Sequence, residues 1–543
     1  MLARGCARCA GRARVGPLSR PRIPPAARSQ CRRYSSQAGT PTPLSHGNVV
    51  GSLAPFVSEL DRIAPSFDVR GDQIEVIQTP AEFYETLKDR IRNAKRRIFL
   101  STLYIGKTER ELLETLRDAL RRNPELKLSI LTDALRGTRE APNPSCASLL
   151  APLVDEFGAH RVEVRMYHTP NLTGLRKRAV PNRINEGWGL QHMKLYGVDD
   201  EIIMSGANLS TDYFTNRQDR YHLFSSRDIT EHFWRIHEAV SKFSFLVQPS
   251  TDDPAGFTLS WPEANSAPSP LQRPDAFIKS TTDTLRPLIL PTPAPKTDVG
   301  GGGGGEDSSA GFADTRVYML AQMSQVMKPD ASTELPAITH ILKTLASPAY
   351  RDASWTFTAG YFNPDPSLTR LLIDTAASSE RGNNTVITAA PEANGFYRSP
   401  GVSGLLPDAY VLLARRFLTA VQRSGRDGNI TLKEWRRGTV GKPGGWTYHA
   451  KGLWITLPGD KDPAVSLVGS SNYTRRSYSL DLEVGALVVT RNEGLKARLG
   501  GEQRWLQEHA QPVTQDDFAR NERGVGLHVR IAMWIVKAVG GAL

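Results

Sequence analysis

Two stretches of this chain repeat one another, and that constrains its fold more than any other feature. Residues 72–227 and 314–491 carry the same candidate elements in the same order. The apolar run 98–104 matches 355–361, 126–133 matches 384–390, and 162–167 matches 430–435. The tetrapeptide from Gln191 to Lys194 matches that from Tyr448 to Lys451. From Ile98 to His192 is 94 residues, and from Trp355 to His449 is also 94. Internal repeats of this size mean a duplicated structural unit.

Helical patterns lie between the strand candidates. Thr79 before Pro80 reads as an N-cap followed by proline at the first helical position. Phe83, Leu87 and Ile91 then recur every four residues, as one buried helix face requires. The stretches 110–120 and 410–421 read the same way. Strands alternating with helices predict an α/β fold, each half a mixed β-sheet flanked by helices. The expected organisation is an N-terminal segment 35–71, a first domain 72–249, a second domain 314–495, and C-terminal helices 496–543. Residues 250–313 are rich in Pro, Ser, Thr and Asp and include the six glycines Gly300–Gly305. That composition predicts a flexible linker. The glycine run lacks the Lys-Ser/Thr ending and the preceding strand of a phosphate loop.

Charge looks at first like a nucleic-acid signal. The chain has 68 basic and 56 acidic residues, a net of +12. Nine arginines fall in the first 34 residues, and the first acid is Glu59. Without those nine the balance is 59 against 56, a net of +3, far from a strongly basic nucleic-acid binder. The arginine-rich, acid-free start reads as a mitochondrial transit peptide, residues 1–34, cut after Tyr34 in the run Arg32-Arg33-Tyr34-Ser35-Ser36. Cys6, Cys9 and Cys31 would leave with it. Cys146 alone can form neither an internal disulfide nor a cysteine-ligated zinc site. The segment 426–434 mimics part of a calcium loop, but Arg423 and Gly425 occupy its first ligand positions, which excludes it. No apolar run approaches the ~18 residues of a membrane span. Near the end, Ile531, Trp534, Ile535 and Ala538 follow i, i+3, i+4, i+7, flanked by Arg530 and Lys537. Periodicity leaves two readings open: an interfacial helix, or one docked on the protein's own core.

Each half ends in a similar constellation. The first has His192, Lys194 and Asp199, then Ser205-Gly206-Ala207-Asn208, then Asp219. The second has His449 and Lys451, then Gly469-Ser470-Ser471-Asn472, then Glu483. Each carboxylate follows its asparagine by 11 residues. In a strand, residues i and i+2 share a face, so each histidine points with its lysine. Small residues in the following turn let backbone N–H groups approach a ligand. Imidazole, ammonium, amide and backbone donors then converge in a manner that suits a phosphate.

These residues resemble the phospholipase D superfamily, whose signature is H-x-K-x4-D followed by G-S-x-N. His192, Lys194, Asp199 and Asn208 fill the first copy; His449, Lys451, Ser470 and Asn472 fill the second. The second copy departs by carrying Thr456 where the aspartate should stand, and by seven extra residues around 458–463. The stretches 189–194, 205–210, 213–221 and 448–454 are similar to one branch, the mitochondrial phosphatidylglycerophosphate synthases of fungi and animals, which also lacks the second aspartate. The resemblance implies an active site at the interface of two pseudo-symmetric domains. It implies transfer of a phosphatidyl group from CDP-diacylglycerol to glycerol 3-phosphate, releasing CMP, through a covalent phosphohistidine. It also implies peripheral contact with the matrix side of the mitochondrial inner membrane, with no nucleic-acid partner. One histidine attacks phosphorus; the other moves protons as acid and then base. His192 is taken as nucleophile because its motif is complete. Lys194, Lys451, Asn208 and Asn472 would answer the phosphoryl oxygens. No metal or other cofactor is called for, since cationic side chains supply the charge.

A nucleophilic imidazole needs its other nitrogen held by an acceptor. Asp219 and Glu483 are the candidates, and which serves which histidine is open. The plainer reading of both is a surface carboxylate. Arg136, Arg139, Arg176 and Arg183 are candidate substrate-phosphate contacts, against the plainer reading of a solvated basic face. His160, His168, His222, His232, His237, His340, His509 and His528 fall in no repeated pattern and read as structural. Motif chemistry alone leaves open a cardiolipin synthase, a phosphatidylserine synthase, a hydrolytic phospholipase, a mitochondrial nuclease or a non-catalytic lipid-binding relative.

Overall fold

The computed structural model describes residues 53–181, 185–291, 313–376 and 384–538. The expected transit peptide, Arg183 and the glycine run lie outside them. All the described residues belong to one compact unit.

Two nine-stranded mixed sheets carry the fold. The first runs in space Phe257–Ser260, Phe245–Pro249, Val162–Tyr167, Lys127–Asp133, Arg97–Ser101, Leu195–Val198, Glu201–Ser205, Tyr221–Phe224, Ile74–Ile77. The second runs Ala510–Pro512, Ile430–Trp435, Asn384–Ala389, Ser354–Ala359, Lys451–Thr456, Val465–Gly469, Glu483–Thr490, Thr315–Gln322, Ser66–Val69. Eight strands of each sheet correspond in order. The register corresponds too: Ser101 faces Leu195 and Ile98 faces Val198, while Thr358 faces Gly452 and Trp355 faces Ile455. In both sheets the three strands starting at 97, 127 and 162, or at 354, 384 and 430, are parallel, and the rest are antiparallel.

Both faces of each sheet are covered, which is why the strands read as near-continuous apolar runs rather than alternations. Along Thr315–Gln322, Val317, Met319 and Ala321 enter the core between the two sheets, while Tyr318 and Leu320 enter the outer core of the second half. The helix Pro80–Arg92 buries Phe83, Leu87 and Ile91 on the first half's outer face. Its start is closed by a capping box: the Thr79 hydroxyl accepts from the Glu82 N–H at 3.2 Å, and the Glu82 carboxylate accepts from the Thr79 N–H at 3.0 Å. Such a cap contributes about 1 kcal/mol.

Three boundaries differ from the expected ones, each for a packing reason. The stretch expected to be a flexible linker carries the strand Phe257–Ser260 and the helix Pro274–Ile289. That helix buries Phe277, Ile278, Leu285 and Ile289 in the core shared by both halves. Thr281 donates to the Val326 carbonyl at 2.7 Å, tying it to the second half. Of the segment expected before residue 72, the described residues 53–69 belong to the second half, where Ser66–Val69 pairs antiparallel with Thr315–Tyr318 at that sheet's edge. The second half continues past 495: the helix Glu493–Gln507 and strand Ala510–Pro512 correspond to Arg227–Ser241 and Phe245–Pro249 of the first.

The halves are also joined by a buried ionic cluster. Arg220 pairs with Glu502 at 2.9 and 2.8 Å and stacks over Trp454 at 3.8 Å, and His222 and Trp454 donate to the same carboxylate. The Arg220 guanidinium and His222 hold the Glu502 carboxyl down at about 2 despite its burial. Breaking one partner of such a group strands a buried charge, so this cluster fixes how the two halves meet.

Candidate active site

The two histidines are delivered by one backbone device used twice. Gln191 bridges Leu482 in parallel, and the His192 N–H donates to the Leu482 carbonyl at 2.9 Å. In the mirrored place Tyr448 pairs in parallel with Gln218, and the His449 N–H donates to the Gln218 carbonyl at 2.8 Å. The residue after Leu482 is Glu483, and the residue after Gln218 is Asp219. One step along each short ladder therefore sets a histidine of one half beside a carboxylate of the other.

The contacts are direct. His192 Nδ1 lies 2.9 Å from both Glu483 oxygens, and His449 Nδ1 lies 2.6 Å from Asp219 Oδ2. Both carboxylates are fully buried. Each histidine is therefore oriented by a carboxylate from the opposite half. Lys194 Nζ donates to the His192 carbonyl at 2.7 Å, and Lys451 Nζ to the His449 carbonyl at 2.9 Å. Lys451 also shares Asp219 Oδ2 at 3.4 Å. A Cβ on Gly206 would stand 2.5 Å from Lys451 Nζ and 2.7 Å from Asp219 Oδ1, so a larger residue there would displace the lysine and carboxylate ends that the first half's turn closes over.

Burial sets the protonation. Desolvation and the neighbouring Lys194 and Lys451 ammoniums push both imidazoles well below their usual range. Burial pushes Glu483 up to about 7, against the opposing pull of Lys194. It pushes Lys194 down to about 7; a phosphate arriving beside it would pull it back up. The two imidazoles are thus neutral at physiological pH; the carboxylate facing each Nδ1 favours the tautomer with Nδ1–H and Nε2 as the free base, and at His449 the Lys451 ammonium also lies 2.8 Å from Nδ1.

The Nε2 atoms differ. Thr102 donates to Asn208 Oδ1 at 3.4 Å, Asn208 Nδ2 donates to the Tyr213 hydroxyl at 3.2 Å, and that hydroxyl lies 3.3 Å from His449 Nε2. The order of donors leaves the Tyr213 proton for His449. His192 Nε2 makes no hydrogen bond among the described residues. The rings of Tyr213 and Tyr361 stand edge-on to His449 at 5.1 and 5.3 Å. Two partly buried arginines complete the site: Arg217 lies over Tyr213 at 4.6 Å and pairs with Asp212 at 2.9 Å, and Arg476 pairs with Asp481 at 3.2 Å. Tyr213, Arg217 and Arg476 were not singled out in the sequence. All three lie in the stretches between each asparagine and its carboxylate, whose equal length was the available signal.

Other expected residues fall as follows. Asn472 lies beside the second turn with its Oδ1 buried and unpartnered among the described residues. Ser470 bonds the backbone of Val484 at 3.2 and 3.1 Å and so holds Glu483's strand. Arg136 lies over Tyr104 at 4.1 Å and lines a cavity of about 490 Å³ with Lys107, Ser210 and Asp212. Arg139 is taken up by Glu186 at 2.7 Å, and the Arg176 side chain, in an exposed position, bonds the Asn171 carbonyl at 3.2 Å.

Asp199, expected among the catalytic residues, is a structural one. It sits in the hairpin turn at φ 52°, at the far end of the strand that begins beside Lys194. Its carboxylate accepts from the N–H groups of Lys95, Arg96 and Arg97 at 2.8, 2.7 and 3.1 Å. This explains Thr456: the second half replaces the tight turn with the longer loop 457–464, and Asn384 accepts from the Trp355 N–H at 3.0 Å at that end of the sheet. An Asp199→Ala protein should lose about 2 kcal/mol of stability for its unsatisfied N–H groups, while keeping near-normal turnover. Thermal melting and transfer assays on one preparation check both.

Comparison with known proteins agrees with this geometry. Residues 87–240 match the family model described as cardiolipin synthase, PLD-like domain. The chain superposes on a phosphatidylserine synthase of Haemophilus influenzae with a TM-score of 0.64 at 18% identity, covering 90% of this chain and 98% of that one. That likeness concerns the fold. In sequence it is 42% identical to the CDP-diacylglycerol–glycerol-3-phosphate 3-phosphatidyltransferase of Saccharomyces cerevisiae, over 92% of this chain and 93% of that protein. It is 35% identical to the mitochondrial human enzyme of the same name, over 88% and 84%. Likeness to these enzymes runs nearly end to end, through both halves whose histidines and carboxylates complete one another, so the chain belongs to the CDP-diacylglycerol–glycerol-3-phosphate 3-phosphatidyltransferase family of phospholipase D-type enzymes.

Proposed function

We propose that this protein transfers the phosphatidyl group of CDP-diacylglycerol to glycerol 3-phosphate, giving phosphatidylglycerophosphate and CMP, within cardiolipin biosynthesis. The observation that carries the reading is the 42% identity across nine-tenths of the chain to an enzyme of that name. The paired histidines supply chemistry for it. Conversion of labelled glycerol 3-phosphate to lipid, dependent on CDP-diacylglycerol, tests it.

The different Nε2 environments assign the steps. His192, with Nε2 unengaged, attacks the phosphorus; the bond to CMP breaks, and CMP leaves as a phosphate anion that needs little protonation. The new imidazolium keeps Nδ1–H on Glu483, whose charge stabilises it. His449, neutral through burial, then takes the proton of the incoming glycerol hydroxyl at Nε2, the oxygen attacks phosphorus, and the P–N bond breaks. Lys194, Lys451, Arg217 and Arg476 balance the phosphoryl charge. The protein works in mitochondria; its relatives carry that address in their names. We place it on the matrix side of the inner membrane in peripheral contact, in keeping with its arginine-rich start. Among the described residues no helix is long and apolar enough to cross a membrane.

Tyr213 enters this scheme as the group that holds His449 Nε2 until the acceptor displaces it. A Tyr213→Phe enzyme should lose roughly a hundredfold in kcat, the lower end of the range for a group assisting proton transfer. Its acid limb should shift. The hydroxyl donates to neutral imidazole, so removing it favours the protonated form, and activity should begin to fall at higher pH than in the wild type. An unshifted kcat–pH profile would assign Tyr213 to packing alone.

A further inference from the structure

We propose that the face between helix Leu406–Arg423 and helix Leu527–Ala538 docks on an anionic phospholipid surface. A cavity of about 800 Å³ lies between them, lined by Leu412, Arg415, Arg416, Thr419, Arg423 and Arg530 among others, with no carboxylate. None of the four arginines makes an ion pair among the described residues. Two acids of neighbouring elements are spent elsewhere: Glu434 on Arg523 at 2.6 Å, Asp517 on Arg520 at 3.0 Å. Four guanidiniums gathered without a counter-charge repel one another, and an anionic surface relieves that.

The neighbouring helix supplies the apolar part. Leu527, Ile531 and Trp534 are 72%, 49% and 70% exposed and recur at i, i+4 and i+7. Val529 on the same helix is fully buried, so the helix docks by one face and offers the other. One face of the helix thus docks on the protein's own core, and the other is left exposed. Arginines beside exposed leucine, isoleucine and tryptophan, on a helix too short to span, are the chemistry of an interfacial contact. A nucleic acid would answer the arginines but not the exposed aliphatic side chains.

The arginine-bearing helix reaches the site by its opposite, inward face. Tyr410, near the start of the same arginine-bearing helix, stacks on Tyr361 at 5.5 Å, and Tyr361 stands edge-on to His449. From Tyr410 to Arg423 the helix rises about 20 Å. Docking this helix would bring a membrane-borne diacyl substrate toward His449, which rests on the functional reading above.

The test is co-sedimentation of the whole protein with phosphatidylcholine vesicles, with and without phosphatidylglycerol. Binding should require phosphatidylglycerol and weaken as salt rises. An Arg415→Gln/Arg423→Gln/Arg530→Gln protein should bind roughly a hundredfold more weakly, about fivefold for each arginine near a charged surface. Trp534→Ser should weaken binding without changing its salt dependence. Transfer in neutral detergent micelles should be unaltered in all these proteins. The proposal is overturned if the folded triple variant binds vesicles like the wild type. It is also overturned if micellar transfer falls with the arginines, or if the arginines govern binding of single-stranded RNA while vesicles are ignored. Absence of micellar transfer by the wild-type protein would instead overturn the functional reading and leave the vesicle result standing.

Discussion

His192→Ala and His449→Ala proteins should both lose phosphatidyl transfer by at least about 10⁴-fold, in keeping with groups that act as one catalytic unit, but they should stop at different steps. With CDP-diacylglycerol alone, the His449→Ala protein should release close to one equivalent of CMP and retain the labelled phosphatidyl group. His192→Ala should release none. The reason is the asymmetry around Nε2: His192 presents an unengaged nitrogen, and His449 holds its own against Tyr213. Combining the two changes should add little to either, because neither histidine can stand in for the other. Label retained by His192→Ala and not by His449→Ala would reverse the assignment. A folded His449→Ala protein with near-wild-type turnover would remove the second imidazole from the mechanism.

The second large effect concerns the crossed carboxylates. Glu483→Gln and Asp219→Asn should each cost about 10³–10⁴-fold in kcat, the range seen when an amide replaces the carboxylate behind a catalytic imidazole and holds the wrong tautomer. They should fail at opposite steps. Glu483 faces His192, so Glu483→Gln should slow single-turnover CMP release. Asp219 faces His449, so Asp219→Asn should slow only the later transfer to glycerol 3-phosphate. Each carboxylate thus acts on the histidine of the other half. If Asp219→Asn instead slowed CMP release, the carboxylates would be working within their own halves. Far-ultraviolet circular dichroism and melting on the same proteins separate loss of chemistry from loss of fold.

The pH dependence follows from the same burial. Both imidazoles are held below their ordinary range. A base is active when unprotonated, so protonation of the imidazoles should not limit transfer at pH 6, where an exposed histidine would be largely charged; an acid limb near pH 7 should instead report protonation of Glu483 and be lost in Glu483→Gln.

Much of this protein was legible as a sequence because duplication doubles every signal. The 94-residue spacing placed His192 and His449 in equivalent positions, and the sheets carry them in the same register. The pairs His192/Lys194 and His449/Lys451 and the 11-residue interval to each carboxylate were readable because they are local. Asp199 was misassigned because a motif records that a residue recurs, not what it touches. Its bonds run to residues 95–97, about a hundred positions away. The stretch 250–313 was read as linker from composition, which averages over a helix whose burial depends on a groove that neither half forms alone.

Sequence by itself determined the repeat, the α/β layering and the candidate histidines, lysines and carboxylates. These are properties of periodicity and of side-chain chemistry within short windows. Only tertiary structure decided that Glu483 serves His192 and Asp219 serves His449, that residues 53–69 complete the second half, and that Tyr213 separates two otherwise equal imidazoles. The physical reason is distance along the chain: Glu483 lies 291 residues from His192, and Asp219 lies 230 from His449. No local pattern encodes a contact closed only when the two sheets pack together around a shared core.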